Sequence, residues 1–258
     1  MQLIIHTHLD YMFADKTDVL LQIEAAQTRD QTVTDPTLMI TPVDHFRRIP
    51  AEEGIGERSW TRVQGHVTCD YRATVTITRK AVELATLAAI PLHDLPPETL
   101  RYLMGSRYCP ADDFQAFVDA DFGDLTGGAR IVAMRDWIED AFTYDPGAST
   151  TQTTAMDSFV HRHGICRDYA HVLIALARAA AIPARIASVY APTVTPPDFH
   201  AVVEVFLDGG WHLVDPTGMA AAGEMAVIGV GRDAADVAFL TSWGSAQMLA
   251  QSVSVTKG

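Results

Sequence analysis

Cys166 lies in the segment His163-Gly-Ile-Cys-Arg-Asp-Tyr-Ala-His171, where a glycine-containing stretch gives way to a run rich in alanine and leucine. The run from Cys166 to Ala181 reads as a helix, and Ile182-Pro183 stops it. A cysteine on the first turn of a helix faces unpaired backbone N–H groups and the positive end of the macrodipole. Both favour the thiolate, which is the nucleophilic form. Downstream, His200 opens a strand-like run and Asp215 stands near the end of the next one. Cysteine, histidine and aspartate in that order can act as nucleophile, base and orienting acid. An amide carbonyl is a poor electrophile and calls for a thiolate. The imidazole would hold that thiolate as an ion pair and then protonate the leaving amine, while the carboxylate fixes the imidazole tautomer. The backbone N–H of Cys166 is one candidate donor to the tetrahedral oxyanion. Gln152, Tyr144 and Trp137 lie upstream as candidates for a second donor, and the sequence does not choose among them.

The elements around these residues must bring them together. Residues 1–80 read as several short strands, Leu3–His8, Asp18–Ala26, Thr37–Thr41, Ser59–Gly65 and Arg72–Thr78 among them, in an antiparallel sandwich or sheet. Residues 81–98 form a proline-containing linker, with Pro91, Pro96 and Pro97. Residues 99–258 then form an α+β domain. Helices are expected at Pro97–Met104, Ala111–Phe122, Gly128–Phe142 and Thr154–His163, the last ending at Gly164 as a C-terminal glycine. Strands are expected at Ala184–Tyr190, His200–Leu207, Trp211–Asp215, Met225–Val230 and between Trp243 and Val255. Asp208-Gly209 is a strong hairpin signal. With a two-residue loop, Asp215 falls opposite Val202, on the face that carries His200 and about 7 Å along its diagonal. A three-residue loop would put the pair on opposite faces unless a bulge intervened.

Bulk properties narrow the classes. The chain has 258 residues, enough for one large or two modest domains, and its 48% hydrophobic content supports real cores. Net charge is −13 and pI about 5.0, so nucleic acid and anionic membrane surfaces are not expected partners. No apolar run approaches the length of a membrane span. The start lacks a basic region followed by a long apolar stretch, so no signal peptide is expected. Three cysteines, Cys69, Cys109 and Cys166, argue against a disulfide framework and for a reducing, cytoplasmic setting. The spacing of His161, His163 and Cys166 offers no clear fourth ligand and a metal would block the thiolate, so neither metal nor cofactor is expected. Asp168 suits the helix start as an N-terminal acid, with tuning of the thiolate as the alternative. Glu204 shares a strand face with His200, either supporting it or simply solvated.

Taken together, Gly164-Ile-Cys166-Arg-Asp-Tyr-Ala170, Ile182-Pro-Ala-Arg185, His200-Ala-Val-Val-Glu-Val205 and Trp211-His-Leu-Val-Asp-Pro-Thr217 resemble the bacterial transglutaminase-like superfamily. Tyr144-Asp-Pro-Gly147 and Gly231–Val237 are similar to its bacterial subgroup. The resemblance implies a papain-like α+β catalytic core of helices packed on an antiparallel sheet, behind an N-terminal all-β domain. It implies Cys166 as nucleophile, His200 as base and Asp215 as orienting acid. Val202 departs from the pattern, since relatives often carry tryptophan there; the resemblance places this position at the cleft wall. The implied activity is a cysteine peptidase or amidase working on a peptide, protein or small amide through a thioester. The alternatives are transglutaminase-type acyl transfer from glutamine to an amine, and a non-enzymatic binding module on the same fold. No calcium loop of the D-x-D-x-D-G kind accompanies the motifs.

Overall fold

Apolar and polar residues alternate along Gln2–Leu21, and in the computed structural model, which describes residues 1–258, they form one long strand, β1. The further strands are β2 (Gln31–Ile40), β3 (His45–Pro50) and β4 (Glu57–Ile77). β1 and β4 pair antiparallel from Gln2↔Thr76 to Leu21↔Ser59. Four of the expected short strands thus merge into two long ones, and Thr37–Thr41 falls at the end of β2. The stretch Ala14-Asp15-Lys16, which lies between two of the expected strands, is a bulge: register shifts between Phe13 and Thr17 opposite Gly65 and Val63, and both strands continue. β2 and β3 pair with β4 on its other side.

Residues 81–98 dock through turns at Leu84–Thr86 and Leu92–Asp94, with Leu87 O accepting from Gly128 N at 2.9 Å. Pro97–Tyr102 is a 3-10 helix rather than an α-helix, and Ala111–Phe114 is a 3-10 turn leading into α1 (Gln115–Phe122). α2 (Gly127–Ala141) leads to the two-residue strand β5 (Thr143–Tyr144). α3 (Ala155–His161) starts with a capping box between Thr154 and Asp157. Its left-handed terminal residue is Arg162, φ 59°, and not the expected Gly164. The Arg162 guanidinium finds its place over the Trp137 and Phe159 rings, at 4.4 and 4.2 Å. Gly164 lies in β6 (His163–Gly164), which pairs parallel with β5.

α4 (Cys166–Ala179) is the axis of this lobe, buried at every residue from Asp168 to Arg178. It packs on the sheet β10-β7-β8-β9, made of β7 (Ala184–Tyr190), β8 (His200–Leu207), β9 (Gly210–Val214) and β10 (Ala226–Gly231). The β8–β9 hairpin turns through Asp208, φ 49°, and Gly209, φ 76°, the two positive angles of a type I′ turn. The short α5 (Ala234–Val237) follows.

The chain then returns to the first sheet. β11 (Leu240–Ser242) and β12 (Gln247–Lys257) both pair with β1. The expected division at residue 98 therefore needs correction: residues 240–257 belong to the N-terminal sheet, because the outer edge of β1 is filled from the far end of the sequence. The two lobes share a boundary core, since Tyr190, Ala226 and Ile228 pack into the apolar cluster of the six-stranded sheet. No helix is long and apolar enough to cross a membrane.

Candidate active site

Cys166 is the first residue of α4. The turn before it is fixed by Asp168, whose Oδ2 accepts from Ile165 N at 2.9 Å and whose Oδ1 receives Arg167 Nη2 at 3.2 Å. Asp168 is fully buried and absent from the cavity wall, so it is the acid of the helix start, the first of its two expected roles. Gly164 is required there, because a Cβ at that position would stand 2.7 Å from Asp168 Cβ.

β8 and β9 bring the other two residues together. Leu207 pairs with Gly210 and Val203 with Val214, the register of the two-residue loop. His200 Nε2 meets Asp215 Oδ2 at 2.9 Å, with the residues 1% and 6% exposed. Asp215 also accepts from Thr217 Oγ1 (2.7 Å), Thr217 N (2.9 Å) and Ala220 N (2.9 Å). Burial pushes the Asp215 carboxyl up, but His200 and the Thr217 donors outweigh it and hold it below its ordinary value. Burial likewise disfavours the imidazolium, yet Asp215 and the Cys166 thiolate together raise His200 to about 10. His200 Nδ1 is buried and makes no hydrogen bond. With Nε2 engaged by Asp215, Nδ1 is the nitrogen left to serve Cys166.

Tyr144 is carried to the site by the β5–β6 pairing, in which Asp145 N donates to Gly164 O at 2.9 Å. Its side chain lines the same cavity as Cys166. Burial, followed by the thiolate charge, raises its pKa, so the hydroxyl keeps its proton. Cys166, His200 and Tyr144 line one cavity of about 670 Å³, whose wall also includes Phe239, Leu240 and Thr241, at and just before the start of β11.

The remaining candidates lie elsewhere. Gln152 is exposed and borders a separate polar hollow with His161 and His163. Trp137 belongs to an aromatic cluster with Phe117, Phe142 and Phe159. Glu204 shares the strand face with His200 but is bound by Arg185 Nε at 2.7 Å, in a network with Glu53. Val202 is buried among Ala187, Val189 and Leu213 and does not reach the cleft wall. Three polar residues of the site were missed. Thr217 follows Asp215-Pro216 as the donor of a local turn, a signal available in the sequence. Asp198 stands two residues before His200, and strand alternation points to it. Arg107 lines the cavity from a loop and carries no such local signal.

The sequence profile of the transglutaminase-like superfamily matches residues 118–216, a range that holds Cys166, His200 and Asp215. The crystal structure of a proposed cysteine protease from Cytophaga hutchinsonii is 31% identical, with a TM-score of 0.94 over 99% of this chain and 90% of that one. The protein ML0607 of Mycobacterium leprae is 31% identical over 120 residues, and the match spans 42% of this chain and 42% of that relative's length. A profile that covers the cysteine, the histidine and the aspartate, together with a relative that agrees in sequence and fold along nearly the whole length, places this chain in the transglutaminase-like superfamily.

Proposed function

We propose that this protein is a cysteine hydrolase that cleaves an amide bond of a peptide, protein or smaller amide through a thioester, with Cys166, His200 and Asp215 as its catalytic residues. The observation that carries the reading is the single cavity holding Cys166 at a helix N-terminus beside an imidazole whose far nitrogen is bound by a buried carboxylate. The Cys166 thiolate attacks the carbonyl carbon, forming the C–S bond and an oxyanion. The backbone N–H of Cys166 and the Tyr144 hydroxyl, which lines the same cavity, donate to that oxygen. As the C–N bond breaks, the imidazolium of His200 gives its proton to the leaving amine. Water then adds to the thioester, His200 takes its proton, and the acid leaves as the thiolate is restored. All three cysteines are free thiols, which suits the cytoplasmic setting that we include in this proposal.

The test is a peptide-library digest with wild type and Cys166→Ala. Wild type is expected to generate new N-termini, and Cys166→Ala to lose them while keeping its melting temperature. Equal digestion by both proteins would overturn the reading. A labelled primary amine included in the same reaction separates hydrolysis from transfer, since its incorporation at glutamine would mean that an amine, and not water, takes the acyl group.

A further inference from the structure

The loop before β8 passes through Pro196-Pro197 to Asp198, two residues ahead of His200. Both residues line the cavity that contains Cys166. Asp198 Oδ1 is held by Phe199 N at 2.7 Å and by Gln251 Nε2 at 2.6 Å, the latter reaching across from β12. Its other oxygen has no partner in the protein, and the residue is exposed. Asp198 is the one carboxylate on the cavity wall. Its neighbours there, Val194, Phe199 and Phe239, are apolar. Although open to solvent on one side, the carboxyl is partly shielded by its surroundings, which raises its pKa against the opposing field of the His200 imidazolium, and its charge in turn raises Tyr144. Besides the His200 imidazolium, two cations share the cavity: Arg167 is occupied by Ser149 Oγ, Thr150 O and Asp168, and Arg107 lies over the Tyr108 ring at 4.9 Å.

An anionic oxygen anchored on one side and open on the other, in a largely apolar cleft, is a receptor for a cation. In the chemistry above His200 delivers a proton to the leaving amine, so the departing part of the substrate lies on the imidazole side, where Asp198 stands. We propose that Asp198, anchored by Gln251 of the N-terminal sheet, is a specificity-determining residue that binds a cationic side chain of the lysine or arginine kind on the leaving-group side of the scissile amide. The side rests on the amide-cleavage reading; the preference for a cation does not. The N-terminal sheet thereby gains a role in recognition, as the support of the leaving-group wall.

The test is labelling of Cys166 in the full chain by two methanethiosulfonates of matched length, one ending in an ammonium and one in a methyl group. Each rate is divided by the rate with a free small thiol, and Cys166→Ala gives the background from Cys69 and Cys109. Wild type is expected to favour the ammonium reagent by about fivefold to tenfold, the effect of one unpaired carboxylate near the sulfur at intermediate dielectric. Asp198→Asn abolishes the preference and Gln251→Ala weakens it. Asp136→Asn, an exposed acid on α2 outside the cavity, leaves it intact. No preference in wild type, or the same preference in Asp198→Asn, overturns the proposal. Labelling needs no turnover, so an enzyme that failed the peptide digest would sink the amide-cleavage reading without touching this result. With peptides that are cleaved, lysine in place of norleucine directly after the scissile bond raises kcat/KM by a similar factor in wild type but not in Asp198→Asn. A lysine preference before that bond would overturn the assignment to the leaving-group side.

Discussion

His200 is the residue on which the site's pH dependence turns. Its charged form is stabilised in the fold, from an ordinary value of 6.5 up to about 10. Its contribution to stability is therefore complete below pH 6.5 and is lost as pH rises through about 10. Asp215 works in the opposite sense: held below its ordinary 3.8, it contributes above that value and the contribution is lost as pH falls through its lowered pKa. The alkaline limb of kcat/KM is expected near pH 10. In Asp215→Asn it moves to lower pH, and turnover falls by roughly 10²–10⁴-fold, as for other orienting acids. Alkylation of Cys166 by iodoacetamide below pH 7 is expected to be fast in wild type and to collapse in His200→Ala. Rates equal in the two proteins would leave the ion pair without support. If Tyr144 is the oxyanion donor proposed above, Tyr144→Phe lowers kcat about 10²-fold or more with little change in KM. At this scale much was legible. Residue types, order and a two-residue hairpin sufficed to pair His200 with Asp215, whereas Gln152 and Trp137 could be placed only by knowing where α2 and α3 pack.

The turn from β6 into α4 is the element that aims the thiolate. It depends on Gly164 having no side chain and on Asp168 closing the helix start. Gly164→Ala is expected to force Asp168 aside and cost about 1–3 kcal/mol, the range for an overpacked site. Asp168→Ala is expected to cost about 0.5–2 kcal/mol for the lost cap, with activity falling further than stability because Cys166 shifts. Thermal melts alongside turnover separate the two effects. Helices and hairpins were legible here because their signals are local: the α4 stop at Ile182-Pro183, the Asp208-Gly209 turn and the Thr154 cap. The helix end at Arg162 was not, because the left-handed arginine lies over the Trp137 ring, 25 residues earlier in the sequence, as well as over its neighbour Phe159.

Across the whole molecule the lobes are joined by polar side chains set into their shared core. Gln31 donates to Ala26 O (2.6 Å) and Val227 O (2.9 Å) and accepts from Val227 N (2.7 Å), all buried. Tyr190 accepts from Thr7 Oγ1 at 2.9 Å and donates to Ile23 O at 2.6 Å. Gln31→Ala takes the side-chain partner from the buried Val227 N–H and from Ala26 O, while Val227 O keeps the Ala26 N–H at 2.8 Å, so a loss of about 1–3 kcal/mol is expected. A single cooperative melt for both lobes would accompany it; two separate transitions would show that the lobes fold independently. The boundary drawn from sequence missed this union. β11 and β12 find their partner, β1, at the opposite end of the chain, and composition carries no mark of so distant a pairing.

That pairing also sets an order of events. Leu3 stands opposite Lys257, so the loop closed by β1 and β12 encloses almost every residue described here. Contacts of such separation form late and slowly, because chain entropy must be surrendered before any pairing compensates it. During synthesis the helices and hairpins around Cys166 can form while β1 still waits for its neighbour. The wall provided by Leu240 and Thr241, and the Gln251 that holds Asp198, arrive only after residues 240–257 have left the ribosome. Cys166 therefore precedes its finished cleft, and the nascent chain carries the proposed nucleophile before it carries the wall that would select its substrate.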